Sequence, residues 1–162
     1  MNKNTILQRP NGKYWTLEDI QALDDAKTYN DLLVIALRIL GKMPEFIIQM
    51  CGPISTGGKG TVEANIAEFD KAIYHFTNQG ENVFDQMPFE VPMQRIKKDV
   101  KGYDKRILNE FYLPIFKSGK IKKLIFLPDW KSSKGARWEH RQAKKLGIEI
   151  VHLKKNWQTK SI

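Results

Sequence analysis

Glu45-Phe-Ile-Ile-Gln-Met-Cys-Gly-Pro-Ile-Ser-Thr-Gly-Gly-Lys-Gly60 is a short β-like run that breaks into a glycine-rich loop. Directly after it, Val62, Ile66, Phe69, Ile73 and Phe76 recur at spacings of 4, 3, 4 and 3, the period of one packed helical stripe. Strand, loop and helix in that order form the first unit of a βαβ fold. The pattern then repeats. Asn82-Val-Phe-Asp85 reads as a second strand, Lys123-Leu-Ile-Phe-Leu127 as a third and Ile148-Glu-Ile-Val-His-Leu153 as a fourth, with helices over 104–116 and 136–146. Residues 92–102 are polar and fit neither period. The expected architecture is a three-layer α/β/α sandwich, a Rossmann- or flavodoxin-like parallel sheet of four or five strands with right-handed crossovers. Ligands of such sheets bind beyond the carboxyl ends of the strands. The loops after Met50, Phe84 and Leu127 should therefore border one crevice.

Upstream, Thr16-Leu-Glu-Asp19 is close to a capping box and starts a helix. Residues 30–40 form a second helix that is apolar almost all round, from Leu32 to Leu40, as buried helices are. Gly41 ends it and Pro44 blocks a restart. Residues 1–15 read as a loose tail. The chain thus divides into an N-terminal tail and helical extension (1–44), an α/β domain (45–153) and a basic tail (154–162).

A length of 162 residues suits one such domain. With 41% hydrophobic and 28% charged residues, the composition argues against disorder, collagen and coiled coil. No apolar run reaches the ~18 residues of a membrane span, and Met1 to Pro10 lacks the apolar block of a signal peptide. The one cysteine, Cys51, excludes a disulfide framework and fits a reducing cytoplasm. His75, His140 and His152 lack metal-ligand spacing, so no metal and no cofactor is expected. The net charge of +9 is uneven: from Lys117 onward there are 13 Lys/Arg against Asp129, Glu139 and Glu149, whereas the preceding 116 residues hold 14 basic and 15 acidic side chains. A basic final third attracts anions such as phosphate esters, or is simply a solvated face.

Two segments carry candidate chemistry. In the first, Gly52, Gly57, Gly58 and Gly60 let the backbone approach a ligand and free N–H groups for a phosphate. The spacing satisfies neither the P-loop nor the dinucleotide fingerprint. Gly52, Pro53, Ile54, Ser55, Gly57 and Gly58, with Asn65 on the following helix, are the candidate binding residues; the bland alternative is a flexible surface loop. The second segment, Pro128-Asp-Trp-Lys-Ser-Ser-Lys-Gly-Ala-Arg-Trp-Glu139, runs off the third strand into a helix with Ser132 or Ser133 as N-cap. There Ala136, Glu139, Ala143 and Leu146 share one face, and Glu139 is its only charge. A carboxylate on a core-facing stripe is costly unless paired or used. It is either a buried Glu bonded to backbone or a positioned nucleophile at the crevice. Asp85 and Asp129 end strands and could reach the crevice as catalytic acids; Trp130, Ser132, Ser133 and Gly135 complete the binding set. Cys51 has no evident His partner and reads as a small buried residue.

Together these segments resemble the nucleoside 2-deoxyribosyltransferase superfamily, including its nucleotide N-glycosidase branch and uncharacterised bacterial and phage members. Cys51-Gly52-Pro53-Ile54-Ser55 followed by Gly57-Gly58-Lys59 resembles the phosphate-binding loop of the monophosphate-specific branch, and Ser133-Lys-Gly135-Ala-Arg-Trp-Glu139 matches its Ser-x-Gly-x-x-x-Glu. The resemblance covers about residues 46–153. It implies cleavage or transfer at the N-glycosidic bond of a nucleoside or nucleoside 5′-monophosphate, with Glu139 attacking the anomeric carbon and Ser133 and the 52–58 loop holding the 5′-phosphate. It also implies a homo-oligomer. The chain departs from the family where two aspartates are usual, carrying Lys122 and Pro114 near those positions; Asp85, Asp129 or Glu110 would have to substitute. That departure leaves a nucleotide-binding sensor without chemistry as the alternative. A nucleic-acid-binding protein ranks third, because no helix-turn-helix or RNA-binding signature is present.

Overall fold

The structure is a computed structural model describing residues 1–98, 101 and 104–159. Its centre is a four-stranded sheet of β1 (Ile47–Cys51), β2 (Asn82–Phe84), β3 (Ile121–Phe126) and β4 (Glu149–His152). The order is β2-β1-β3-β4 and every pairing is parallel. Ile48 pairs with Val83 on one side and Lys123 on the other, and Phe126 with His152. The expected α/β class and parallel sheet are present, at the lower of the two strand counts. Strand order reverses direction between β1 and β3, so the crevice of the sheet lies at their carboxyl ends.

Alternation along the strands assigns the two helical layers. Ile48 and Met50 of β1, Val83 of β2 and Ile125 of β3 pack with Phe69, Ala72 and Ile73 of α4 (Val62–Asn78). Ile47, Cys51, Phe84, Leu124 and Phe126 point the other way. They meet α2 (Leu17–Asp25), α3 (Tyr29–Lys42), α5 (Glu90–Lys97), α6 (Leu113–Lys117) and α7 (Lys134–Leu146). Side chains on one strand alternate faces because the strand period is two. Four helices start at hydroxyl caps: Thr16, Thr28, Thr61 and Ser133 accept from the backbone N–H three residues on. At Thr16 and Thr28, Asp19 and Asp31 reciprocate to complete capping boxes. Gly41 lies inside α3 and the helix ends one residue later, a correction to the expected stop.

Residues 1–15 are not a loose tail. They form α1 (Lys3–Gln8) and a 3-10 turn over Gly12–Tyr14, and Ile6, Arg9, Asn11 and Trp15 are buried. Trp15 packs on Phe89. The Arg9 guanidinium bonds Asp85 and reaches Asp70 of α4 at 2.6 Å. Asn11 accepts the Asp85 backbone N–H at 2.7 Å. Polar side chains made this stretch look unattached, yet they are the ones used to tie it to the end of β2. The 154–162 tail is exposed at Lys154–Asn156, while Trp157 stacks against Phe76 and meets His75 edge-on.

The unassigned 92–102 stretch contributes α5 up to Lys97; 99, 100, 102 and 103 lie outside the described residues. The expected 104–116 helix is instead a π-helical turn, Ile107–Tyr112, running into α6. The Leu113 N–H bonds to the Leu108 carbonyl, five residues back. Pro114 accounts for it: it has no N–H, and in an α-helix its ring would strike the carbonyl four residues earlier. The wider turn relieves that clash and swings Ile107, Leu108 and Tyr112 towards the crevice. No helix among the described residues is long and apolar enough to cross a membrane.

Candidate active site

At the carboxyl ends of β1, β2 and β3 lies a pocket of ≈ 590 Å³ counted to its open mouth. Of the residues singled out in the sequence, Gly52, Ile54, Ser55, Ser133, Gly135 and Glu139 line it together. Gly52 must lie close to Leu127, whose side chain would be 3.1 Å from any Cβ added there. Ser133 caps α7 by accepting the Ala136 N–H at 3.2 Å. The first N–H groups of a helix have no partner inside it. That of Gly135 is therefore offered at the pocket wall, where a helix N-terminus favours an anion.

The rest of the glycine loop is used on itself. The Gly58 N–H donates to Ser132 Oγ at 2.8 Å and the Lys59 N–H to Asn65 Oδ1 at 2.8 Å. Asn65 Nδ2 donates to the carbonyls of Ile54 and Gly57 at 2.9 and 3.1 Å. Gly57 and Gly58 sit at φ +74° and +63°, and a Cβ on either would be 2.3 Å from Ser132 Oγ or 2.4 Å from Asn65 Oδ1. Gly57, Gly58, Asn65 and Ser132 thus staple the loop rather than face the pocket. Pro53 lies behind it, beside Gly58, Asn65 and Leu127.

Four other candidates fall outside the pocket. Asp85 is fully buried and consumed by Arg9, by its bond from the Met87 N–H at 3.1 Å, and by Asn11 on its own N–H. Burial pushes its carboxyl up against the pull of Arg9. Asp129 occupies the left-handed region at φ 64° and opens to solvent on the far side of the β3 turn. Trp130 stacks on His140, centroids 4.5 Å apart, and on His152 at 5.3 Å, so it covers the β4 side of the core. Glu110 is exposed on the π-turn.

In their place the pocket gathers Gln86, Glu90, Met93 and Tyr112. Glu90 is the first residue of α5. It stands where neither periodicity nor a motif marks it, after the 3-10 turn Met87–Phe89, and only the β2-to-α5 crossover brings it here. Gln86 is fixed by donating Nε2 to the Met50 carbonyl at 2.7 Å. Cys51, read from the sequence as a small buried residue, is buried, and its thiol hydrogen-bonds Glu139.

The electrostatics are those of a desolvated carboxyl pair. Burial pushes Glu139 up to about 8; the Cys51 hydrogen bond opposes this and the charge of Glu90 adds to it. Desolvation at the pocket wall pushes half-buried Glu90 up to about 7. Because both groups hold protons more tightly folded than unfolded, their stabilising effect is complete below about pH 4.5 and is lost as pH rises towards 8. Each unit on nearly buried Glu139 is worth about 1.4 kcal/mol. Thermal denaturation should therefore show Tm falling between pH 5 and 8.5, and Glu139→Gln should flatten that slope and raise Tm at pH 8.5. An unchanged slope would show that Glu139 is solvated. Among the described residues no group of three or more His, Cys, Asp or Glu is placed to hold a metal.

Fold and site together define a doubly wound α/β domain with a carboxylate pocket at its switch point. Residues 48–152 match the family model described as a domain of unknown function, DUF4406, and the chain belongs to that family. The matched segment runs from β1 to the last residue of β4 and includes every residue named in the pocket; Arg9 lies outside it. No curated protein and no solved structure matches the chain.

Proposed function

We propose that the protein cleaves the N-glycosidic bond of a nucleoside 5′-phosphate, with Glu139 as nucleophile and Glu90 as the acid that protonates the leaving base. The observation that carries this reading is the pairing in one pocket of two desolvated carboxyl groups from separate helices. The resemblance of the Ser133–Glu139 segment to the deoxyribosyltransferase superfamily supports the choice of bond. Retaining glycoside chemistry needs one carboxylate as nucleophile and one carboxylic acid as proton donor. Ionised Glu139, held by the Cys51 thiol, attacks C1′. The C1′–N bond breaks, its electron pair stays on the base nitrogen, and Glu90 supplies the proton. Water then attacks C1′ of the glycosyl ester, giving its proton to Glu90, and Glu139 leaves as carboxylate. The phosphate rests on the N-terminus of α7. Glu90 fills the role for which Asp85, Asp129 and Glu110 are misplaced.

The working state carries one proton on the pair; Glu139 holds it more tightly than Glu90, so the reactive form, with Glu139 ionised and the proton on Glu90, is the less populated of the two singly protonated forms, about one tenth of them. The profile of kcat/KM should be bell-shaped with its maximum between about pH 7 and 8. Glu90→Gln should lower kcat roughly 10²–10⁴-fold and remove one limb of the bell; a bell that survives intact would exclude Glu90 as the acid. The direct test is incubation with nucleosides and their 5′-monophosphates, scored by free base on liquid chromatography. No release from any compound, together with thermal stabilisation by a nucleotide, would instead identify a binding protein on this fold.

A further inference from the structure

Beside the pocket runs a second groove of ≈ 720 Å³ counted out into open solvent, and Leu108 of the π-turn lines both. Its walls carry Lys105 from one side and Lys134, Arg137 and Arg141 of α7 from the other, with Trp138 at its base. Trp138 is half-buried and held against Phe116. The four cationic residues are exposed, and among the described residues none forms an ion pair. Arg137 has only the Lys131 carbonyl, at 2.9 Å. Elsewhere the basic side chains nearest acids are paired, as Arg9, Arg38, Lys42 and Arg106 are. Four unpaired cations around one concavity repel one another, and an anion in the groove relieves that repulsion.

The placement relative to the site narrows the anion. Lys134 and Arg137 sit on the first turn of α7, the helix whose N-terminus and Glu139 form the pocket wall. Leu108, which lines both, is the boundary that the pocket and the groove share. A monophosphate held at the α7 N-terminus, as proposed above, carries at most two charges, fewer than the groove offers. We infer that the groove binds further phosphate groups of the substrate, so that the preferred ligand is a nucleotide with more than one phosphoryl group, either a nucleoside polyphosphate or a phosphate-bridged dinucleotide. This rests on the pocket being a nucleotide site, as proposed above, and not on the reaction performed there.

Calorimetric titration of the Glu139→Gln protein separates the two. The probes are the four deoxynucleoside 5′-monophosphates and triphosphates, a pyrophosphate-bridged dinucleotide, and inorganic tripolyphosphate. The triphosphate or the dinucleotide should bind at least about tenfold tighter than the monophosphate of the same base, the scale of one charge-assisted contact. The difference should shrink as salt rises, and whichever ligand is tighter identifies the source of the second phosphate. Lys105→Gln with Arg141→Gln, both exposed and tolerant of change, should remove the advantage and tripolyphosphate binding while leaving monophosphate affinity unaltered. Equal affinities for mono- and polyphosphates, or a double variant that binds all of them as before, would overturn the groove. Groove binding without base release from any compound in wild-type protein removes the reaction and keeps the groove; base release from monophosphates with no tripolyphosphate binding does the reverse.

Discussion

Glu139→Gln should abolish base release while nucleotide binding persists. The loss expected is on the order of 10⁴-fold or more, the scale seen when a nucleophile that acts with partners is removed. Gln keeps the volume and the hydrogen-bonding reach of Glu but has no anionic oxygen to attack C1′. The pocket should survive the change, because Ser133 still caps α7 and Ala136 and Ala143 still hold the helix on the sheet. The variant should even be more stable above neutral pH, since ionised Glu139 is a buried charge offset by a thiol and opposed by the charge of Glu90. Loss of activity with gain of stability is the signature of a site residue kept at a cost to folding. Chromatographic assay of base release beside thermal denaturation at pH 8.5 reads both. Full activity in the variant would eliminate Glu139 as nucleophile.

Arg9→Ala should cost as much stability as truncating a buried core residue. It leaves Asp85, whose side chain has no exposure, without its counter-charge, and it frees Asp70 on α4. Breaking a buried pair from one side costs about 3–5 kcal/mol, because the desolvated partner stays behind. For a chain of 162 residues that corresponds to a fall in Tm of roughly 6–20 °C. Arg9→Met combined with Asp85→Asn should recover much of the loss, since neither then leaves a buried charge. A fall of less than a degree or two in Arg9→Ala would mean that the first 15 residues are not anchored through this pair.

The βαβ order was readable because periodicity marks it. The alternation of Ile48 and Met50, and the stripe from Val62 to Phe76, depend only on residues close in the chain. Glu139 was legible for the same reason: a carboxylate on an apolar helical face conflicts with burial, and that conflict can be seen within one turn and a half of helix. The Thr16 and Ser133 caps are likewise local.

Glu90 and Arg9 were not legible. Each acquires its place from an element distant in sequence: Glu90 from a crossover that ends opposite α7, Arg9 from Asp85 76 residues away. Asp85 shows the same limit from the other direction. Its position at the end of β2 suggested a crevice acid, but the strand end is occupied by the N-terminal segment, whose polar residues gave no periodic signal. In the glycine loop, φ > 0 and close approach were foreseeable from residue type; that Asn65 and Ser132 would take up its N–H groups was not. By itself, then, the sequence determined the layer architecture, the capped helix starts at Thr16 and Ser133 and the exceptional carboxylate, all of which follow from spacing within a few residues. Which acid meets that carboxylate, which one is neutralised, and where the basic side chains converge were decided by tertiary structure, because burial and charge pairing depend on neighbours in space.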